Sequence, residues 1–414
     1  MTGRPPMWRF VILGMMLGMA GLPIYLHAPK FYSDTYSLSL TSLGLVLFAL
    51  RGLDVIQDPI LGMIAARTVR FGAAPLWIAV VIMGLGMLAL FSPVIFLPPL
   101  VWFCLSLAAV FSGFSFLYIR VYALGLQYYS DHASMMRLSQ MREGGNLLGV
   151  CLAAMAPTVL LPVTPIPFFG FAVGFVVVCV IAVAGVSGVS GAKASAGIIT
   201  PPTIDPRPIL QDHSLRQLLI LGGINALPVA VTSTLFLFFV EYRLGAGQLA
   251  GPLLIGFFLS AAVSAPVWSA LARRFDAFSV LMGAMVLSVV CFVGAYTLTT
   301  GDSGYFALIC VLSGATLGAD MVILPAVFSV QLGQTRDASQ DVAFGLWTFV
   351  SKLSLAIAAI TVLPAVALFG FDPNATPSVQ GLYALSVAYA LVPCLLKLAA
   401  LAMVWHIKRS KGVA

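Results

Sequence analysis

Gly185–Pro208 reads GVSGVSGAKASAGIITPPTIDPRP, and the fold turns on that stretch. Its Gly, Ser, Ala and Pro favour flexible chain over packed structure. Long apolar runs lie on either side of it. A membrane span needs about 20 mostly apolar residues to cross roughly 30 Å of hydrocarbon. Working outward gives six such runs at about 8–30, 40–66, 74–96, 99–127, 143–162 and 166–188. Six more follow at about 215–240, 250–272, 278–299, 304–331, 341–369 and 379–407. They are continuously apolar and too long for strands, so they read as helices and not as a barrel. The chain is therefore expected to be all-α, with twelve transmembrane helices. Residues 1–188 form one six-helix bundle, 189–213 a cytoplasmic linker, and 214–414 a second bundle.

Composition agrees. Of 414 residues, 61% are apolar and only 8% charged, where a soluble domain carries about a quarter charged residues. Too few charges remain to cover a water-facing surface, and a mean hydropathy of +1.05 points to lipid as the solvent. The net charge of +7 is no nucleic-acid signature, because the basic residues are scattered singly and in pairs. The first run follows Arg4 and Arg9 as a secretory signal would. It lacks a clear small-x-small cleavage site and eleven runs follow, so it is read as span 1.

Loop charges set the orientation. With the N-terminus inside, the inner segments collect Arg4, Arg9, Arg67, Arg70, Arg137, Arg142, Arg273, Arg274, Lys408 and Arg409, among others. The outer loops hold only Lys30 and Arg243, which is the asymmetry of the positive-inside rule. Both termini are expected in the cytoplasm, with the protein in the cell's inner (cytoplasmic) membrane. Cys104, Cys151, Cys179, Cys291, Cys310 and Cys394 all fall within spans, without C-x-x-C or Cys/His spacing. They read as packing residues, and no cofactor, resident metal or disulfide framework is implied.

The halves echo each other. Leu22-Pro23 in span 1 matches Leu227-Pro228 in span 7. Pro59 with Ala66-Arg67 after span 2 matches Pro266 with Ala272-Arg273 after span 8. A parallel six-plus-six repeat with a long central loop is the major facilitator plan, in which a solute binds near the midplane between the halves.

Charges within spans then carry the functional reading. Span 2 contains Arg51-Gly-Leu-Asp54-Val-Ile-Gln57-Asp58-Pro59. At about 1.5 Å per residue, Asp54 and Asp58 stand some 20 and 14 Å above Arg67, near the middle of the slab. A charge there costs at least about 2.5 kcal/mol, so it must face the bundle interior and have a partner. Asp54 and Asp58 share one helix face, with Arg51 a turn above. Two close carboxylates in low dielectric require a proton or a cation such as Na⁺, with Gln57 adding an oxygen. The alternative is a neutralising network that braces the bend at Pro59.

Lys352 in span 11 needs an acid on another helix, either Asp320 in span 10 or the span 2 pair. Arg120 in span 4 either snorkels or meets the solute. Lys397 in span 12 reads as structural, and His27 as an interfacial residue. Tyr25, Tyr118, Tyr122, Phe236, Phe239 and Trp347 could line a cavity. Tyr118 and Tyr122, four apart with hydroxyls needing partners in hydrocarbon, are the stronger candidates.

Several segments together carry a family resemblance. Phe31-Tyr32-Ser33-Asp34, Leu43-Gly44 and Arg51-x-x-Asp54-x-x-x-Asp58-Pro59-x-x-Gly62 come first. Ser130-Asp131 with Arg137, Arg142-Glu143, Gly318-Ala319-Asp320 to Pro325, and Gly345-Leu346-Trp347 with Lys352 follow. Through both halves the chain resembles the glycoside–pentoside–hexuronide:cation symporters, the melibiose-permease-like branch of the major facilitators. The resemblance implies a sugar moved with Na⁺, Li⁺ or H⁺ by alternating access. It also implies that Asp54 and Asp58 are the cation carboxylates. Gln57 stands where an Asn ligand is usual, Ser115 where a Thr is, and Lys352 matches a lysine near that site.

The sugar side departs from the family. Gly18 and Met19 stand where span 1 carries a sugar-binding Asp, its span 4 partner falls near Tyr118, and Tyr122 could replace a stacking Trp. Ala66 replaces the acid before Arg67. The missing carboxylates argue against galactosides.

The chain is thus expected to be a monomeric secondary transporter in the lipid bilayer, symporting a small-molecule substrate with H⁺ or Na⁺. Asp54, Asp58, Gln57 and Ser115 would bind the cation, with Arg51, Lys352 and Asp320 coupling charge. Tyr25, Tyr118, Tyr122, Arg120 and Trp347 would bind the solute. The rivals are a lysolipid or amphiphile carrier and a non-transporting sensor of the same fold. No catalytic constellation sits together on any span, so an enzyme is excluded.

Overall fold

The computed structural model describes residues 6–38, 40–129, 131–194, 205–335, 338–371 and 378–412. Its α-helices are α1 Trp8–Met19, α2 Leu22–Tyr36, α3 Leu40–Thr68, α4 Ala74–Leu90, α5 Pro99–Leu126, α6 His132–Leu160, α7 Pro167–Ala194 and α8 Arg207–Gln211. The others are α9 His213–Phe238, α10 Ala250–Arg274, α11 Ala277–Val293, α12 Ser303–Gln334, α13 Gln340–Leu368, α14 Val379–Ser386 and α15 Val392–Gly412. Apart from the short α8, these make twelve rods among the described residues. α1 with α2 forms the first, and α14, a π-turn over Val387–Leu391 and α15 form the last.

Two expectations need correction. The run 8–30 is not one helix: α1 stops at Ala20, and Gly21 restarts the chain as α2 with φ −88° and ψ −124°. Pro23 supports the restart, since a proline in the first helical turn loses no intrahelical hydrogen bond. Helix α7 also runs on to Ala194, past the expected bundle boundary at 188. The rest of that linker is described only from 205, where the short α8 precedes α9.

Eight rods are long and apolar enough, among the described residues, to cross a bilayer. The others have physical reasons to miss that test. The first rod is broken, α4 has only 17 residues, and α3 and α6 carry buried charge (Asp54 and Asp58; Arg142 and Glu143). Large apolar side chains face outward in numbers no water-soluble surface tolerates: Phe96, Val163 and Val263 are 81%, 76% and 69% exposed. Lipid is their natural solvent.

The chain divides into two compact units. The first is Met1–Asp212 with Ser329–Phe349, and the second is His213–Phe328 with Val350–Ala414. In the first, α1 and α6 cross backbone to backbone through two small-residue pairs. A Cβ on Gly14 or Gly18 would stand 2.0 or 1.9 Å from the carbonyl oxygen of Arg142 or Asn146. A Cβ on Gly145 or Gly149 would meet Val11 or Met15 at 2.0 or 2.2 Å. Dispersion and packing drive such contacts in membranes, where lipid tails are as apolar as any side chain. The crossing explains why no side chain stands at position 18. Aromatic rings fill both units, Phe91 stacking on Phe168 in the first and Phe239 on Tyr389 in the second.

Candidate functional site

Helix α3 brings the acids to the interior of the first unit. Asp54 is 6% exposed and Asp58 0%, on one face because four residues nearly complete a turn. Asp54 Oδ1 accepts hydrogen bonds from Gln57 Nε2 at 2.8 Å and, across from α5, from Ser115 Oγ at 2.9 Å. Ser112 Oγ donates in turn to Gln57 Oε1 at 3.0 Å. The four residues named for cation binding thus include three in one hydrogen-bonded cluster, with Asp58 one turn along. Ser112, absent from the sequence reading, closes it. It stands three residues before Ser115, on the same face of α5, a spacing that reveals it once Ser115 is suspected.

Close backbone packing fixes α3 against the start of α13. A Cβ on Gly62 would lie 2.9 Å from the Asp341 carbonyl, and one on Gly345 2.9 Å from the Asp58 carbonyl. The peptide of Asp58 itself is therefore part of the crossing. Arg51 is half-buried one turn before Asp54.

The aromatic residues form a second cluster in the same unit. Tyr118 and Tyr122 stack with centroids 4.1 Å apart, and Tyr122 also packs on Phe344. Asp58 is within electrostatic range of the Tyr118 hydroxyl. Tyr122 donates its hydroxyl hydrogen to Glu143 Oε1. The Arg142 guanidinium lies 3.3 Å from the Tyr122 ring centroid and donates to Glu143 at 3.1 Å. Arg142 and Glu143 are each 2% exposed, so α6 carries a closed ion pair capped by an aromatic face. Arg120 Nη1 donates to both oxygens of Asp341, at 2.9 and 3.0 Å, and both residues are buried.

These bonds engage the polar ends of Arg120 and Tyr122, two residues the sequence assigned to a solute. Trp347, on α13, is buried in the same unit. Tyr25 lies on α2 with its side chain outside the described residues. Asp341 and Glu143 were not named as site residues. Asp341 falls in the first turn of α13, where the sequence reads as the edge of a span, and a helix N-terminus favours an acid there.

The second unit holds the remaining charges. Lys397 Nζ on α15 donates to Asp320 Oδ2 on α12, and at 2.7 Å to Asn225 Oδ1 on α9. The ammonium that reaches Asp320 is thus that of Lys397, where the sequence named Lys352, Asp320 and Arg51 together. A long stem lets Lys397 reach a mid-span acid. Lys352 is half-buried on the second-unit part of α13. Among the described residues no three His, Cys, Asp or Glu side chains cluster as a metal site.

Comparison with known proteins follows this geometry. A family model described as MFS/sugar transport protein matches residues 10–410. The fold is similar to that of a bacterial homologue of the iron transporter ferroportin in an outward-facing state. Identity there is 15% and the TM-score 0.70, over 95% of this chain and 99% of that one. It is also similar to that of the E. coli fucose:proton symporter FucP, at 13% identity and a TM-score of 0.59, over 95% and 98% of the two chains. At such identities these likenesses show the fold alone. No curated protein matches the chain significantly. With helical rods clad in lipid-facing side chains and a family match from end to end, the chain belongs to the MFS/sugar transport family and is a multi-pass membrane transporter of the major facilitator superfamily, not an enzyme.

Proposed function

We propose that the protein is a cation-coupled symporter of the glycoside–pentoside–hexuronide:cation branch, moving a sugar, glycoside or other small solute with H⁺ or Na⁺. One observation carries this reading. Asp54, buried in a membrane-spanning helix, is met by Gln57 and by Ser115 from a second helix, with Asp58 wholly buried one turn away. Two carboxylates at that spacing raise each other's affinity for positive charge, and low dielectric strengthens the effect. Neutral oxygens gathered beside them are the ligands a hard monovalent ion uses in exchange for water. Binding the cation removes the electrostatic cost of holding both acids in the hydrocarbon layer. Ion occupancy then biases which conformation is stable, as coupling requires.

The solute would be gripped by the aromatic faces of Tyr118 and Trp347, with Tyr25 from α2, while Tyr122, covered by Tyr118 and Arg142, backs Tyr118. No carboxylate can enter from Gly18, because the α1–α6 crossing leaves no room for a Cβ there. Recognition by stacking and hydroxyls would suit a glycoside with an apolar aglycone better than a bare galactoside. FucP, similar in fold, is by its name a sugar–proton symporter, and the same pairing of solute and cation is proposed here. The protein would sit in the cytoplasmic membrane with both termini inside and work by alternating access.

The test is ion flux in proteoliposomes. A panel of sugars and glycosides is offered to the purified protein while internal pH and ²²Na⁺ uptake are followed. A solute that drives stoichiometric H⁺ or Na⁺ entry in the native protein, and none in Asp58→Asn, is the expected result. Solute uptake with no ion movement would refute the coupling.

A further inference from the structure

The second unit contains a cavity that the symport reading leaves unused. Asp320 and Lys397 are 8% and 5% exposed, and their ion pair occupies only one carboxylate oxygen. The other, Asp320 Oδ1, is buried and has no hydrogen-bond partner. Leaving a buried charged acceptor unsatisfied costs more than the roughly 1–3 kcal/mol of a neutral one, so the atom points to something that approaches it. Asp320 and Lys397 also line a cavity of about 60 Å³, in which the hydroxyl residues Thr232, Ser288, Ser313 and Thr316 stand among an apolar majority that includes Phe257, Phe292 and Leu317.

The hydroxyls show what the cavity accepts. Thr232 Oγ1 donates to the Pro228 carbonyl at 3.1 Å, Ser313 Oγ to Ile309 at 2.7 Å, and Thr316 Oγ1 to Ser313 at 2.7 Å. Their hydrogens are committed to their own helices, so lone pairs remain for the cavity. A carboxylate oxygen and hydroxyl lone pairs repel an anion and suit a hard cation. One carboxylate among neutral oxygens suits a monovalent ion over a divalent one. The volume holds several waters, enough for a small ion with part of its water shell.

We infer that this cavity is a second monovalent-cation site, for Na⁺ or a hydrated proton, in which Lys397 is a built-in competitor. The ion binds Asp320 Oδ1 and the hydroxyl oxygens, while the ammonium keeps Oδ2 and leans on Asn225 Oδ1. Ion and ammonium divide one carboxylate, so their mutual repulsion weakens binding in the native chain, and removing the ammonium strengthens it. The titratable groups on the cavity are Asp320 from α12 and Lys397 and Cys394 from α15. Its lining from α9, α10 and α11 supplies none.

The site stands apart from the first-unit acids, and the test keeps it so. In full-length Asp54→Asn/Asp58→Asn protein, thermal unfolding is followed against Na⁺, with choline as control, at two pH values. Adding Lys397→Gln should give a saturable rise of several degrees with Na⁺, abolished by a further Asp320→Asn. A rise on acidification in choline, with no Na⁺ response, identifies the proton as the ion. No response to either ion in the Lys397→Gln protein overturns the proposal. Should that variant not fold, the titration is run on the chain that keeps Lys397, with Ser313→Ala/Thr316→Val as partner. A half-saturating Na⁺ or H⁺ concentration raised several-fold by the hydroxyl losses supports the site, and an unchanged one or no response overturns it.

Discussion

The two units handle buried acid differently. In the second, Asp320 is held by an ammonium on the same unit, and Asn225 shares the load. In the first, an amide and a hydroxyl donate to Asp54, and two other acids of that unit sit in ion pairs, Arg120–Asp341 and Arg142–Glu143. Both environments are apolar, so the difference lies in what surrounds each carboxylate. A tethered ammonium neutralises its acid, whereas amide N–H and hydroxyl donors stabilise a carboxylate in its charged form. On the proposed reading the first unit serves coupling and the second holds a weaker, contested site.

The contrast is broken most severely at Asp58. Asp58→Asn should abolish cation-driven accumulation in proteoliposomes while leaving downhill exchange of solute measurable; accumulation at the native level would place coupling elsewhere. Next comes the Arg120–Asp341 pair. Arg120→Ala should destabilise the protein by about 3–5 kcal/mol, because it leaves a buried carboxylate without its cation. Arg120→Leu with Asp341→Leu should restore much of the loss. Thermal unfolding in detergent measures both, and a double variant as unstable as the single one would show that the pair does more than neutralise.

Ser115→Ala sharpens the comparison at a finer scale. A Na⁺ held at the acids would lose an oxygen ligand, so Na⁺ affinity should fall roughly tenfold; proton affinity should instead rise, because the carboxylate loses the Ser115 donor. Isothermal titration of the solubilised protein reads this directly, and unchanged affinity would remove the α5 hydroxyl from the site. The smallest effect lies in the second unit, outside the spans. Burial raises the Asp276 carboxyl, but hydrogen bonds from Ser279 with the charge of Lys408 outweigh it and hold the group below its usual range. A depressed folded pKa stabilises above the unfolded value and is lost as pH falls through the folded one. Asp276→Ala, which also removes the α11 cap, should cost about 1 kcal/mol at neutral pH. The gap from the native protein should narrow on acidification.

Much of the architecture was legible because apolar runs and loop charges report directly on a bilayer. From Leu40 onward the rods follow the apolar runs closely except at α6, which starts at His132, before the run at 143, and so carries Arg137 and Arg142 within the helix. The break at Gly21 was not, since Leu22-Pro23 is as apolar as its surroundings and only backbone geometry separates α1 from α2. The linker edge was blurred for a related reason. Gly, Ser and Ala between 188 and 194 weaken a helix without forbidding it. At the site, Asp54, Gln57 and Ser115 could be grouped because each follows from helical spacing and the family resemblance. Pairings between distant helices could not be read. The sequence leaves Lys352 a choice between Asp320 and the span 2 acids and reads Lys397 as structural, since a long side chain's partner depends on rotation about helix axes. Asn225, a polar residue mid-span, was the overlooked sign of where Lys397 points.

The account rests on the first-unit carboxylates binding the coupling ion. The most direct measurement is the unfolding midpoint of the solubilised protein against Na⁺ and against pH, in an Asp320→Asn background that silences the second-unit cavity. The account predicts a saturable rise with Na⁺ or with proton concentration that disappears when Asp58→Asn is added. An identical rise with and without Asp58, or none in either protein, would contradict it.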